Sequence, residues 1–210
     1  MFSTISFSLF HGFFVLVKDS WGVLNAPYKT IRKVAEEKPI LPILFFGLFT
    51  WFFLTLAIVV KEGLHTGPLF LTFNLGKLFY ASIVTYIVIV VAIYLIGRLV
   101  GGKGEISSVA SVWSYSYLPT LIWFFTTTLL YVFLPPPRTA SLLGQIFSIF
   151  FVFLSLGLLF WKTLIYFLTL RLVFGLTVWQ MIRATLILWP AFFFYFLLLN
   201  RMGIFKIPLA

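Results

Sequence analysis

The chain has 210 residues, of which 62% are hydrophobic and 10% are charged, and it contains 28 Phe and no Cys. Soluble domains are about half apolar and about one quarter charged, so this composition excludes a water-soluble globular protein and predicts a chain covered by lipid. The net charge of +10 comes from dispersed Lys and Arg. This distribution predicts basic loops facing anionic headgroups and argues against nucleic-acid binding.

The apolar stretches predict helices rather than strands. Residues 83–91 are apolar on every side, whereas a membrane β-strand alternates apolar and polar residues over about ten positions. We therefore expect an all-α, polytopic membrane helix bundle with five transmembrane helices and an N-terminal interfacial amphipathic helix. Residues 1–38 are the cytoplasmic or interfacial segment, residues 39–200 the five-helix domain, and residues 201–210 a short external tail.

The first predicted element is a helix over residues 2–17. Its apolar run, residues 5–17, is too short to cross a hydrocarbon layer of about 30 Å. No Lys or Arg precedes Lys18, which is not the pattern of a secretory signal. We expect this helix to lie in the membrane interface. A re-entrant or partly inserted helix is the alternative.

A second, short amphipathic helix is predicted to begin at Pro27, because Pro is favoured in the first turn of a helix. Tyr28, Ile31 and Val34 recur at helical spacing on one face. We expect that face to rest on the membrane surface.

Five spans of about 20 residues each follow. We predict them at residues 41–60, 78–96, 112–134, 143–161 and 178–199. The apolar run that contains the fourth span covers residues 142–170, and its 29 residues would measure about 43 Å as one helix. We expect this helix to cross the bilayer as far as Trp161 and then to continue into the headgroup region.

The basic residues indicate the orientation of the chain. With the N-terminus inside, ten of the 15 Lys and Arg fall on the inner side and five on the outer side. This bias predicts a cytoplasmic N-terminus and, with five spans, an external C-terminus. In a prokaryote the membrane would be the plasma membrane.

Lys162 is the most unusual charge, because a Lys at the bilayer centre costs roughly 2.5–3.5 kcal/mol. One interpretation is a buried cation on a transport path. The simpler one is an interfacial Lys that snorkels, with Trp161 as its neighbour in the aromatic belt. We expect Arg171 to anchor the inner face, and Glu105 to form an ion pair with either Lys162 or Arg171.

Gly101, Gly102 and Gly104 surround Lys103 in the loop between the second and third spans. The spacing is not that of a Walker phosphate loop. We expect the glycines to supply positive φ angles in a tight turn, and Lys103 is a candidate contact for a lipid phosphate.

The third span begins with hydroxyl residues, which end at Tyr117, and Pro119 follows. Small hydroxyl side chains allow helices to pack closely and bond back to the backbone, and this interpretation is favoured over a substrate path. We expect Pro119 to kink the third span and Pro190 to kink the fifth.

No catalytic constellation is present in the sequence. The acids are few, none is central in a span, and the two His fall on opposite sides of the predicted topology; these residues are Asp19, Glu36, Glu37, Glu62, Glu105, His11 and His65. We therefore expect no catalytic, cofactor or metal site, and a protein that is not an enzyme.

Three stretches together resemble the Yip-domain family of five-span, Rab-GTPase-interacting membrane proteins. They are residues 27–33, then the Gly101–Gly104 loop with residues 109–119, and residues 161–177 with Trp179. The acidic, Gly- and Pro-containing signature of the eukaryotic trafficking members is not evident, so the chain looks like a prokaryotic-type member.

The resemblance implies a five-helix bundle with a cytosolic N-terminus, and a role in membrane trafficking, membrane shaping or partner recruitment. We therefore expect a membrane organiser whose partners are anionic lipid headgroups and either a protein partner or further copies of the chain. The alternative is a transporter or channel for a lipid or small solute, for which the hydroxyl residues, Pro119 and Lys162 are the motivation.

Overall fold

The computed structural model describes residues 2–62, 68–133 and 141–203, except the side chains of residues 2–11, 61–62, 68–74 and 131. Within this part of the chain every regular element is a helix, which confirms the predicted all-α class. The elements in chain order are α1 (Phe2–Asn25), α2 (Pro27–Glu37), α3 (Leu41–Glu62), α4 (Pro68–Leu99), α5 (Ile106–Ser114), α6 (Tyr117–Phe133), α7 (Leu142–Leu168), a π-helix (Thr169–Val173) and α8 (Val178–Arg201).

Four stretches of the described chain are long and apolar enough to cross a membrane. They are Leu41–Val60, Leu75–Leu99, Leu142–Val173 and Val178–Arg201. They contain the first, second, fourth and fifth predicted spans, so the chain has the features of a multi-pass membrane protein. As expected, the helix of the fourth span continues beyond Trp161.

The third predicted span, residues 112–134, is not one continuous helix. Turn residues Tyr115 and Ser116 separate α5 from α6, and the 17 residues of α6 measure about 25 Å. Pro119 is the third residue of α6, where a missing backbone N–H removes no intrahelical bond. The expected kink at Pro119 is therefore wrong: the helix ends before the proline and a new helix begins.

The N-terminal helix is longer than predicted. α1 has 24 residues and continues past Lys18 to Asn25, and Asp19 in this added part is buried where it pairs with Lys33 of α2. α2 begins at Pro27, as predicted. Its apolar face does not rest on the membrane surface, because Ile31 and Val34 are fully buried inside the protein.

The helices form a bundle with a packed cover at one end. α3 contacts both α4 and α6, α8 contacts α4, and α7 contacts α6. α2, α5 and the π-helix contact one another, and α1 contacts α2 and α3. We call α1, α2, α5, the loop of residues 100–105 and residues 169–177 the cap, and the opposite end of the bundle the far end.

The hydrophobic core lies mainly at the cap. One cluster joins the C-terminal half of α4 to α5, the π-helix and the start of α8, and includes Ile93, Leu170 and Leu188. A second cluster joins α1 and α2 to α3 and α5, and includes Ile31 and Tyr115. The cap therefore fixes the positions of the spanning helices at the end where they join it.

Candidate functional site

The glycine loop is held against Phe174. Gly101 has a φ of 97°, so the expected positive φ is confirmed there. It is wrong for Gly102 and Gly104, which are glycine for a different reason: a Cβ on either would lie 2.7 Å from the Phe174 side chain. The loop is also tied down by the Lys103 N–H, which donates to the Phe174 carbonyl at 3.3 Å. The Lys103 side chain is exposed.

Glu105 pairs with neither Lys162 nor Arg171, so that prediction is wrong. Its carboxylate accepts a hydrogen bond from Lys38, because α2 ends beside the start of α5 and Lys38 has a left-handed backbone. This hydrogen bond lowers the pKa of Glu105 below its ordinary value. The Arg171 guanidinium instead donates to the Leu176 carbonyl at 2.7 Å.

A second ion pair ties α1 to α2. The Lys33 ammonium lies 2.9 Å from Asp19, whose side chain is only 4% exposed. The hydrogen bond to Asp19 raises the pKa of Lys33 above its ordinary value, although burial acts in the opposite direction. The two ion pairs make the cap one connected unit of α1, α2 and α5.

Lys162 points into the bundle. Its ammonium donates to the Thr120 hydroxyl of α6 at 3.0 Å, so the snorkelling interpretation is wrong for this side chain. Trp161 is partly buried and packs against the second core cluster rather than standing in an aromatic belt. No acidic residue of the chain lies between Glu105 and the C-terminus, so neither α7 nor α6 offers Lys162 a carboxylate.

A central cavity of about 520 Å³ lies beside Lys162. Its wall combines apolar side chains with hydroxyl groups from α3, α4, α6 and the turn before α6. The polar residues of the wall are Thr50, Ser82, Thr85, Tyr86, Ser116, Tyr117, Thr120 and Lys162. Lys162 is the one charged side chain of this wall. Tyr117, a candidate from the sequence, therefore lines the cavity together with Lys162. Pro119, another candidate, is buried and is not among the lining residues.

The hydroxyl groups are largely bonded to the backbone. The Tyr86 hydroxyl donates to the Ala110 carbonyl at 2.7 Å, and Thr50 donates to the carbonyl of Phe46 at 2.8 Å. Thr120 donates to the Ser116 carbonyl at 3.3 Å. The expected back-bonding is confirmed. Because these protons are committed, the hydroxyl oxygens face the cavity mainly as acceptors, and Lys162 is its principal donor.

A lateral cavity of about 490 Å³ lies between α7 and α8 and also reaches Lys162. The two helices are joined nearer the cap by the Tyr166 and Thr185 hydroxyls, which are 3.1 Å apart. Leu159 and Trp189 line this cavity and are 60% and 55% exposed. The cavity therefore opens sideways, toward the face that lipid would cover. Lys162 and Trp113 line both cavities.

Comparison with protein-family models, with curated proteins and with solved structures gives no match to this chain. The site is accordingly interpreted from its own geometry. In the described ranges no group of three His, Cys, Asp or Glu is placed to hold a metal ion.

Sequence reasoning missed three residues that organise these sites. Thr120 holds Lys162, Phe174 fills the space left by the loop glycines, and Lys38 pairs with Glu105. Only Thr120 carries a signal in the sequence, because a hydroxyl one turn after Ser116 near Pro119 suggests a polar face inside a span. The other two depend on contacts between distant parts of the chain.

Proposed function

We propose that this chain is a non-enzymatic, multi-pass membrane protein that binds an anionic amphiphile inside its bundle and exchanges it sideways with the surrounding lipid. The ligand class is a carboxylate or phosphate attached to an apolar chain. The observation that carries the proposal is the inward position of Lys162, at the junction of the central and lateral cavities.

The Lys162 ammonium has three protons, and the Thr120 hydroxyl accepts one of them, which leaves two that can bind a ligand. Lys162 is partly buried, and a partly desolvated cation that meets only neutral hydroxyls is costly, since desolvation is not offset by an opposite charge. An anionic headgroup beside Lys162 supplies that charge. Intramembrane cations that face a cavity commonly mark the path of a substrate.

The walls of both cavities are mainly apolar. Each of the two cavities has the volume of an ordinary small-ligand site, and their walls are rich in aromatic side chains such as Phe193 and Phe196, which line both. The opening between α7 and α8 faces the lipid side. This arrangement suits a molecule that enters from the bilayer with its chain in the lateral cavity and its headgroup at Lys162.

The proposed topology places the cap at the cytoplasmic face and the far end outside. Basic residues are concentrated in the cap and on the segments beside it, as the positive-inside rule requires. In this orientation Lys162 lies six residues, about 9 Å, before the cap-side end of α7. An anionic lipid of the inner leaflet would therefore reach Lys162 at the depth of its headgroup.

The test is native mass spectrometry of the protein extracted from its own membrane in a mild detergent. We expect the wild type to retain an acidic lipid or fatty acid. Lys162→Met removes the charge, keeps most of the length of the side chain and should lose this ligand, whereas Lys77→Met, at an exposed Lys of α4, should retain it. Equal retention by the two variants would contradict the proposal, as would a wild type that carries only neutral lipid.

A second candidate function, membrane organisation, is favoured by the exposed face of α1. Phe14, Val17, Trp21 and Leu24 form an apolar strip at helical spacing, and Trp21 is 68% exposed. Such a strip can insert into the headgroup boundary. Membership in the Yip-domain family, with recruitment of a protein partner or of further copies of the chain, belongs to this candidate and stays a prediction.

A vesicle experiment distinguishes the two candidate functions. If the protein acts as an organiser, Phe14→Ser with Trp21→Ser should abolish remodelling of vesicles containing anionic lipid, and Lys162→Met should leave remodelling unchanged. If it acts through the cavities, transfer of a fluorescent fatty acid between vesicles should fail in Lys162→Met and persist in the α1 double variant.

A further inference from the structure

We propose that the cap holds a second, separate site, which binds a phosphate group between α2 and the π-helix. A cavity of about 310 Å³ is lined there by Tyr28, Arg32, Glu36, Ser108 and Arg171, together with apolar atoms of Ala35, Leu172 and Val173. This site shares no lining residue with the central or lateral cavity and does not depend on the function proposed for them.

Two arginines from distant parts of the chain, Arg32 and Arg171, both line this cavity, and the side chain of Arg32 is 65% exposed. Arg32 lies on α2, one helical turn after Tyr28, and Arg171 is the middle residue of the π-helix. Arg171 uses one nitrogen on the Leu176 carbonyl, which fixes the side chain and leaves its other N–H groups free to bind a ligand. Guanidinium groups match phosphate oxygens in geometry and charge.

The hydroxyl of Ser108 is the second observation that indicates a ligand. Ser108 is only 5% exposed, it lines the cavity, and its hydroxyl makes no hydrogen bond within the described residues. The hydroxyl oxygen is not among the fully buried unpaired atoms, so it is accessible from the cavity and can donate to a ligand there. A phosphate oxygen in the cavity would accept its proton.

Arg171 reaches this cavity from a π-helix. Single π-turns are rare and occur frequently at functional sites. At its first residue the Thr169 hydroxyl donates to the Ile165 carbonyl at 2.8 Å. Arg171 lines the cavity together with Tyr28 and Arg32 of α2.

Glu36 sets the charge of the site. It accepts a hydrogen bond from Arg32 at 3.1 Å, so the wall carries two positive charges and one negative charge. The net single positive charge suits a phosphate monoester better than a neutral or cationic group. The same phosphate chemistry is present in an acidic lipid headgroup, such as phosphatidic acid, and in soluble phosphate.

The experiment measures binding of two probes to the full-length protein. One probe is phosphatidic acid in nanodiscs of otherwise neutral lipid, and the other is inorganic phosphate added to protein in neutral-lipid nanodiscs. Arg32→Gln should weaken binding by about tenfold, the loss expected for one charge-assisted contact, and Glu36→Gln should strengthen it. Arg183→Gln, an exposed Arg of α8 outside the cavity, should leave it unchanged.

The outcomes identify the source of the phosphate. Binding of phosphatidic acid alone, sensitive to Arg32, supports a lipid headgroup, and binding of inorganic phosphate with the same sensitivity supports a soluble ligand. Ser108→Ala, whose small side chain leaves the fold intact, should weaken either interaction. The proposal is overturned if wild type, Arg32→Gln and Arg183→Gln bind both probes equally, or if neither probe binds the wild type.

Discussion

The cap and the far end of the bundle are built on opposite principles. In the cap, ion pairs, backbone hydrogen bonds and fully buried side chains connect four helices and a loop. In the four spanning stretches, by contrast, only 6% to 22% of the most apolar part is buried inside the protein. The difference indicates that specificity of fold resides in the cap, whereas the spanning helices leave room for lipid-like molecules.

The largest effect should come from adding one methyl group to the cap. Gly102→Ala places a Cβ 2.7 Å from both the Gly97 carbonyl oxygen and the Phe174 side chain, and overpacking of this kind costs about 1–3 kcal/mol. Gly157→Ala on α7 meets nothing within 4 Å and, because Ala is favoured over Gly inside a helix, should be neutral or stabilising by up to about 1 kcal/mol. Thermal unfolding in detergent measures both variants. Equal losses would show that the two ends are packed alike.

Two tyrosines test this comparison where the cap meets the central cavity. Tyr86→Phe removes a hydrogen bond to the Ala110 carbonyl and should cost about 1 kcal/mol. The Tyr115 hydroxyl is buried and has no hydrogen-bond partner in the described part of the chain, so Tyr115→Phe should be neutral or stabilising. The thermal unfolding midpoints of the two variants show which one loses more stability. A larger loss for Tyr115→Phe would mean that its hydroxyl is bonded.

The smallest effect should come from the exposed ion pair of the cap. Because Lys38 lowers the pKa of Glu105 below its ordinary 4.5, the pair contributes stability above that pH and loses it as the pH falls through the lowered pKa. Glu105→Gln should therefore be less stable than wild type at pH 6, and the difference should shrink as the pH falls below 4.5. A pH-independent difference in unfolding temperature would contradict this assignment.

The spans could be predicted because membrane thickness alone sets the length of an apolar helix. The break at Tyr115 and Ser116 could not, since Pro119 is compatible with a kink and with the first turn of a new helix. The direction of Lys162 depends on Thr120, 42 residues away in the chain. The ion pair of Glu105 depends on Lys38, 67 residues away. Long-range contacts of this kind leave no periodic signal in the sequence.

Quenching of Trp113 fluorescence by a brominated fatty acid tests most directly whether an acyl chain enters the cavities beside Lys162. Trp113 is only 6% exposed and lines both of them, so a brominated fatty acid can quench its fluorescence only from inside. The part of the quenching due to Trp113 is the part that disappears in Trp113→Phe among the seven Trp of the chain.

We expect the brominated fatty acid to quench Trp113 in the wild type and in Lys77→Met, and we expect Lys162→Met to abolish this component. If Trp113 is not quenched in the wild type, or is quenched equally in Lys162→Met, the cavities do not bind an anionic amphiphile through Lys162.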